Sequence, residues 1–454
     1  MTRILAIAGI AVRNAVRSRI VIILLAALLL AVVGIPLSIK GDGTVEGHIQ
    51  ILLRYSLGAA ALLLSIATLW AGCAAVSLEI QQRRIHLLLA KPVHRWQVWL
   101  GDWMGLMLMN AALLAVCGGV TYGMLRWTTR DATLAPEERR RLHSEILTAH
   151  RLAQPAPAVV DDEVRREFEA LKTRGQFPEG VPESQVYEAV RRAVLSRTYS
   201  AGPGGRHTWR FPIPPDAAGG HAAILRFRFS TSDLATDRIR GVWRVGREVA
   251  ATRYEYAEES APLGLHSFEV PASALEGSGD LVVEYGNTHE RPVTVLFNPD
   301  DGLQLLLHGG SFAANYARAI LLLLFQLAFL AALGVTMGSL FSMPVASFCG
   351  LCLVILLQAA GYIESLAGET EIITSPVAGR AFWNTFFHVF FRTAHRVLGP
   401  LRGPNPLDLL ADGLLISNRW LATVLTVRVL LYGGLLALLS AWILNRREMA
   451  LPSS

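Results

Sequence analysis

Two cysteines, Cys349 and Cys352, form a C-x-x-C inside "VASFCGLCLVILL". That spacing can carry dithiol chemistry, but both flanks are apolar, so the pair reads as two small residues on one helix face. His388 and His395 lie in "FWNTFFHVFFRTAHR". A histidine pair can ligate a metal, yet no carboxylate or cysteine cluster accompanies this one. Asp300 and Asp301 precede Gly302, which is surface-turn chemistry. Neither G-x-S-x-G nor H-E-x-x-H occurs. The only lysines are Lys40, Lys91 and Lys172, and none follows a glycine. A G-x-x-x-x-G-K-[ST] phosphate loop is therefore impossible, and ATP hydrolysis through such a loop is excluded. What remains is a basic elbow, "RRIHLLLAKPVHRWQVWLGDW", from Arg83 to Trp103. Leucines beside a cationic rim suit docking onto another protein.

The elements around this elbow are apolar. Of the 454 residues, 52% are hydrophobic and only 17% charged, whereas soluble domains carry about 25% charged residues. Six segments match a hydrocarbon core of about 30 Å: residues 20–39, 56–78, 103–125, 319–341, 345–363 and 421–444. Arg3, Arg13, Arg17 and Arg19 precede the first. Arg83, Arg84, Lys91 and Arg95 separate the second and third, and Arg446 and Arg447 follow the sixth. With six crossings these regions share one side, which the positive-inside rule makes cytoplasmic. The same placement accounts for the net charge of +6 without a nucleic-acid partner. The amino-terminal "RILAIAGIAVRNAVRSR" is either a helix on the inner membrane surface, with Ile4, Ile7 and Ile10 on its apolar stripe, or a plain basic leader. After span two a helix continues through Leu87, Leu88 and Leu89. Pro92 then removes a donor and restricts Lys91, so the chain turns before Trp96, Trp99 and Trp103 begin the next helix.

The membrane blocks are 1–126, with the elbow at 79–102, and 313–454. The second includes an aromatic, amphipathic outer segment at 364–418. Between the blocks lies a polar insertion. Residues 127–200 carry helical spacing in "PEERRRLHSEILTAHRL", "DDEVRREFEALKTRG" and "PESQVYEAVRRAVLSR". From about residue 201 to 312 the period becomes two, as in "AILRFRFS" and "DLVVEYGN". Further short runs such as "HTWRFPI", "GVWRVG", "TRYEYA", "HSFEVP", "PVTVLFN" and "LQLLLH" predict a two-sheet β-sandwich, jelly-roll-like. The fold class is thus a polytopic helical membrane protein with an inserted extracytoplasmic α+β domain. Within the spans, Arg428 either faces the bundle or a watery path, or snorkels outwards. With Asn110, Gln326 and Gln358 it makes up the candidates for a translocation path, although the three amides also suit helix-to-helix hydrogen bonding.

The run E-I-x-x-x-x-I-x-x-L-L-x-K-P-V-x-R-x-x-x-x-L-G-x-x-x-G, Glu79 to Gly105, resembles the inner loop of type-2 ABC transporter permeases. Those of nitrous-oxide-reductase maturation and gliding motility are closest. The likeness rests on Glu79, Ile80, Leu88, Leu89, Lys91, Pro92, Arg95, Leu100 and Gly101, together with "GPNPLDLL", Gly403 to Leu410. Asp102 stands where many relatives carry lysine, and many lack the insertion. The resemblance implies that Ile85–Trp96 couples to a separate ATPase subunit, which binds the ATP and Mg. This chain would hold no cofactor or metal and would itself be no enzyme. The coupling residues would be Glu79, Arg83, Arg84, Ile85, Leu87, Leu88, Leu89, Lys91, Pro92, Arg95 and Trp96. A second permease chain, identical or related, would complete the transporter in a bacterial cytoplasmic membrane, both termini inside. The insertion would meet a periplasmic partner protein or a glycan or lipid cargo. Two other readings stand beside it: a motor-coupled assembly protein that moves no solute, and a membrane-anchored glycan-binding protein or enzyme.

Overall fold

The computed structural model describes residues 2–17, 19–39, 45–81, 94–130, 142, 147–175, 177, 183–213, 220–233, 236–248, 253–276, 279–299, 301–358, 380–401 and 403–446. The chain divides into two compact units, Met1–Leu147 with Ser311–Ser454, and Thr148–Gly310.

The first unit is helical. In it α1 (Thr2–Arg17), α2 (Ile20–Ser38), α3 (Val45–Ile51), α4 (Leu57–Gln81) and α5 (Arg95–Thr129) precede the insertion. A π-helical turn, Leu52–Ser56, joins α3 to α4. Among the described residues five helical runs are long and apolar enough to cross a membrane: Ile20–Ser38, Gly47–Leu78, Trp96–Thr129, Phe312–Leu340 and Asn418–Arg446. The expected fifth span, 345–363, falls on a helix over Met343–Gln358 whose apolar stretch is Met343–Leu356, and residues 359–363 lie outside the described residues. Arg19 separates α1 from α2 with a left-handed backbone, φ 57°. Such a conformation is unfavourable for a residue with a Cβ, and it stops one helix from running into the next.

The second unit opens with β1 (Thr148–Ala153), then α6 (Asp161–Thr173) and α7 (Glu183–Thr198). Strand β1 corrects the helical reading of "PEERRRLHSEILTAHRL": its last residues pair at a sheet edge beside a distant strand. Val160, Val164, Val190 and Val194 bury the facing stripes of α6 and α7. Next come β2 (Ser200–Ala201), β3 (Arg206–Phe211), β4 (Ala223–Phe227), β5 (Phe229–Thr231), β6 (Ile239–Arg247), β7 (Tyr254–Ser260) and β8 (His266–Val270). A short helix, α8 (Ala272–Leu275), leads to β9 (Leu281–Asn287), β10 (Val295–Phe297) and β11 (Leu303–Ser311). They form three antiparallel sheets, ordered β1-β11-β4-β8, β2-β10-β5 and β3-β9-β6-β7. Period-two alternation explains the faces: along β3, Trp209 and Phe211 are buried while Arg206, Thr208 and Arg210 are exposed. Trp243 of β6 lies 4.6 Å from Phe227, 4.7 Å from Tyr285 and 5.8 Å from Phe297, ring centre to ring centre, so side chains of all three sheets meet in one core.

The chain returns to the helical unit with α9 (Phe312–Leu340) and α10 (Met343–Gln358), then α11 (Arg380–Leu398) and α12 (Pro406–Ala411). The last described elements are α13 (Asn418–Val424), a π-helical stretch Leu425–Tyr432, and α14 (Gly433–Arg446). Helices α4 and α9 approach through glycine. A Cβ on Gly72 would stand 3.1 Å from Gly334 Cα, and one on Gly334 would stand 2.7 Å from Leu69 O. A Cβ on Gly338 would overlap the Cys73 carbonyl. Small residues permit this spacing where lipid offers no hydrophobic drive between helices.

Candidate functional site

Of the sequence-assigned coupling residues, Arg83, Arg84, Ile85, Leu87, Leu88, Leu89, Lys91 and Pro92 lie outside the described residues. Glu79 falls in the last turn of α4 and Arg95 opens α5, while Trp96 is exposed. Just before α5, the His94 N–H donates to Gln97 Oε1 at 3.2 Å, which satisfies a free amide at the helix start. The first turns of α5 are then held on two sides. On one, α1 lies across Gly101 and Gly105. A Cβ on the former would stand 2.6 Å from Ile7 Cγ2, and one on the latter 2.8 Å from Ala11 Cβ. On the other, the Trp99 indole N–H donates to Thr336 Oγ1 at 3.3 Å, and the Trp103 N–H donates to Ala328 O at 2.9 Å. Thr336 Oγ1 lies 3.2 Å from Leu436 O and 2.8 Å from Ala332 O, either of which can accept its single proton. Ser440 Oγ donates to Ser339 Oγ at 2.9 Å. The start of α5 is thereby tied to α9, and α9 to α14.

The polar candidates separate. Asn110 is buried, and its Oδ1 accepts from Thr68 Oγ1 at 3.0 Å, which joins α5 to α4. Gln326 and Arg428 instead line one cleft of about 860 Å³, inside the range of about 300–1,000 Å³ usual for small-molecule sites. The side chain of Gln358 lies outside what is described. One wall of the cleft is the α4 face carrying Gly58, Leu62, Ser65, Ile66, Leu69 and Trp70. Opposite stand Leu323, Gln326 and Leu330 of α9 with Ser347, Leu351 and Ile355 of α10, and residues 403–407 close one end. There Gly58 faces Leu407, whose Cδ1 would meet a Cβ on the glycine at 3.8 Å.

Arg428 sits in the π-helical stretch Leu425–Tyr432, and such stretches occur frequently at functional sites. It is half-buried, and its Nη2 would meet a Cβ on Gly403 at 3.6 Å. Among the described residues no carboxylate pairs with it. Sequence reasoning singled out Arg428 and Gln326 as polar residues in apolar runs, but it did not assign Ser65, Ser347, Gly403 or Asn405 to the same cleft.

The "GPNPLDLL" stretch is anchored by residues that sequence reasoning missed. Arg54 Nε lies 3.0 Å from Asp408 Oδ1, and Arg54 Nη2 lies 3.1 Å from Asp412 Oδ1. Asn405 Oδ1 accepts from the Leu407 N–H at 3.1 Å and caps α12. Buried Asn315 donates to Leu414 O and accepts from the Ile416 N–H, each at 2.8 Å. An arginine in the π-turn Leu52–Ser56 and an asparagine in the first turn of α9 were the available signals.

Cys349 and Cys352 are free thiols on α10. Among the described residues no group of three histidine, cysteine, aspartate or glutamate side chains could hold a metal. The described residues thus make up a chain with five helices able to cross a membrane and a separate β-sheet-rich unit. No protein-family model, no curated protein and no solved structure matches it.

Proposed function

We propose that this chain is the membrane subunit of a type-2 ABC transporter, driven by a separate ATPase that engages the elbow from Ile85 to Trp96. The carrying observation is how the helix after the elbow is held. Displacing the start of α5 would load α1 through Gly101 and Gly105, and would load α9 through the indoles of Trp99 and Trp103. Helix α9 lines the cleft with Leu323, Gln326 and Leu330, so the push would arrive at that cleft.

In this reading the apolar helix Met343–Leu356 continues into a sixth span, two such chains pair in a bacterial cytoplasmic membrane, and both termini are cytoplasmic. Residues 127–312 are extracytoplasmic and receive a partner or cargo. Their β-rich part is a jelly roll. Numbering β1, β3, β4, β6, β7, β8, β9 and β11 as strands 1–8, the two four-stranded sheets run 1-8-3-6 and 2-7-4-5, the interleaving of a double-sheet jelly roll.

Affinity purification from native membranes with mass spectrometry tests the proposal. An ATPase subunit should co-purify with the wild-type chain, and Leu88→Asp should abolish that recovery while membrane insertion is unchanged. Recovery of no ATPase, or undiminished recovery with Leu88→Asp, would overturn the coupling role.

A further inference from the structure

We propose that the cleft between α4, α9 and α10 binds one anionic phospholipid, its phosphodiester on Arg428 and an acyl chain along α4. The cleft is elongated. From Gly58 to Trp70 its α4 wall covers about 18 Å at about 1.5 Å per residue. Its two ends differ in chemistry.

At the Gly58 end, residues 403–407 close the cleft, and the Arg428 guanidinium lies beside Gly403. At the far end the walls are Leu69, Trp70 and Leu351. The other polar side chains are neutral: Ser65 and Gln326 lie between the ends, and Ser347 stands at the far end beside Cys73. One cation at one end of a long apolar trough complements an amphiphile with one negative charge at its head. A guanidinium suits a phosphate in particular, because its planar donors match two phosphate oxygens.

The rim says where the ligand comes from. Leu62, Ile66 and Ile355 are each more than half exposed, and Leu351 is 46% exposed. An apolar rim of this kind faces hydrocarbon rather than water, so the occupant enters from the surrounding bilayer and not as a soluble ion. The cation also explains its own position. A charge within a span is costly unless paired or hydrated. Among the described residues no side chain or carbonyl pairs with the Arg428 guanidinium; the residue is bonded at the backbone, where its carbonyl accepts from the Gly433 N–H. A lipid phosphate would pair it.

The site does not require the ATPase, so it is tested on the full-length chain alone. Purified protein is exchanged into a neutral detergent, and native mass spectrometry follows binding of phosphatidylglycerol, phosphatidylcholine and inorganic phosphate. Wild type should hold one phosphatidylglycerol at least tenfold more tightly than phosphatidylcholine, and millimolar phosphate should not displace it. Arg428→Gln should lower phosphatidylglycerol affinity about tenfold, with Arg428→Lys between the two. Ser65→Phe, which fills the middle of the trough, should lower it without touching the cation.

Equal binding of both lipids, or unchanged binding by Arg428→Gln, would overturn the site. Ready displacement by phosphate would instead mark a headgroup-only anion site and overturn the acyl part. Should Arg428→Gln not yield monodisperse protein, Arg428→Lys and Ser65→Phe carry the test: unchanged binding in both overturns it. Failure of ATPase recovery leaves these outcomes untouched, and the converse also holds.

Discussion

Helix α9 and strand β6 each run through the middle of their own unit, and they bury side chains in different patterns. Along α9 burial is continuous from Leu327 to Val335, all around the helix. Along β6 it alternates at first, with Ile239, Gly241 and Trp243 inside and Arg240, Val242 and Arg244 less covered. A helix that can sit in lipid gains little from exchanging hydrocarbon for leucine, so its contacts rest on glycine spacing and hydrogen bonds. The β unit gains from removing aromatic surface from water, and its outer faces carry ordinary ion pairs. On one such face Glu284 lies 3.4 Å from both Arg206 and Arg244 and 3.8 Å from Arg253. A charge in the helical unit is therefore informative, whereas a charge on the sheets is expected.

Four measurements would break or sharpen this contrast. The largest effect should come from Gly338→Leu, whose side chain would collide with the Cys73 carbonyl and force α4 and α9 apart. Size-exclusion chromatography of the detergent-solubilised variant should show loss of the monodisperse species. A normal profile would mean that this crossing is not set by close backbone approach.

Trp243→Ala should cost the β unit about 3–5 kcal/mol, as expected for a fully buried aromatic. Pulse proteolysis in a urea series should show cleavage within residues 148–310 at lower denaturant, while the helical unit stays resistant. Equal sensitisation of both units would erase the distinction.

A pH response should also belong to the β unit. Burial lowers the pKa of His207, and burial followed by repulsion from His221 lowers that of His308. The unfolded values lie near about 6.5. Between those and the depressed folded values the unfolded chain binds more protons, so stability falls as pH drops below about 6.5 and is fully present above it. The same proteolysis repeated from pH 7.5 to 5 should show this loss, and His207→Phe should reduce it. A flat response would remove the claim.

The smallest effect is expected for Thr336→Val, which removes the acceptor of the Trp99 indole and the donor to the α9 and α14 carbonyls. A cost of about 0.6 kcal/mol is usual for such a bond within membranes. A shift in detergent melting of several degrees would show that the α5–α9–α14 link carries more than ordinary helix contact.

Much of the architecture could be read along the chain, because the signals are local. Apolar length marked the helices able to cross a membrane, and period-two alternation marked β3 to β11. Along the chain β1 reads as the tail of a helix, since its "TAHRLA" carries no strong strand pattern and its partner β11 is remote in sequence. The "GPNPLDLL" motif was visible, whereas its dependence on Arg54 and Asn315 was not, because both partners are remote in sequence.

By itself the sequence determined composition, apolar lengths, the absence of a phosphate loop, and the presence of isolated polar residues such as Arg428 and Gln326 in apolar runs. Those are properties of single segments. The tertiary structure decided that these two share a cleft while Asn110 bonds to Thr68, and that Gly101 and Gly105 form the seat for α1. A cavity and a close helix crossing are made by pairs of faces. Which faces meet depends on packing among helices that are similarly apolar all round, where hydrophobic pattern no longer distinguishes one side from another.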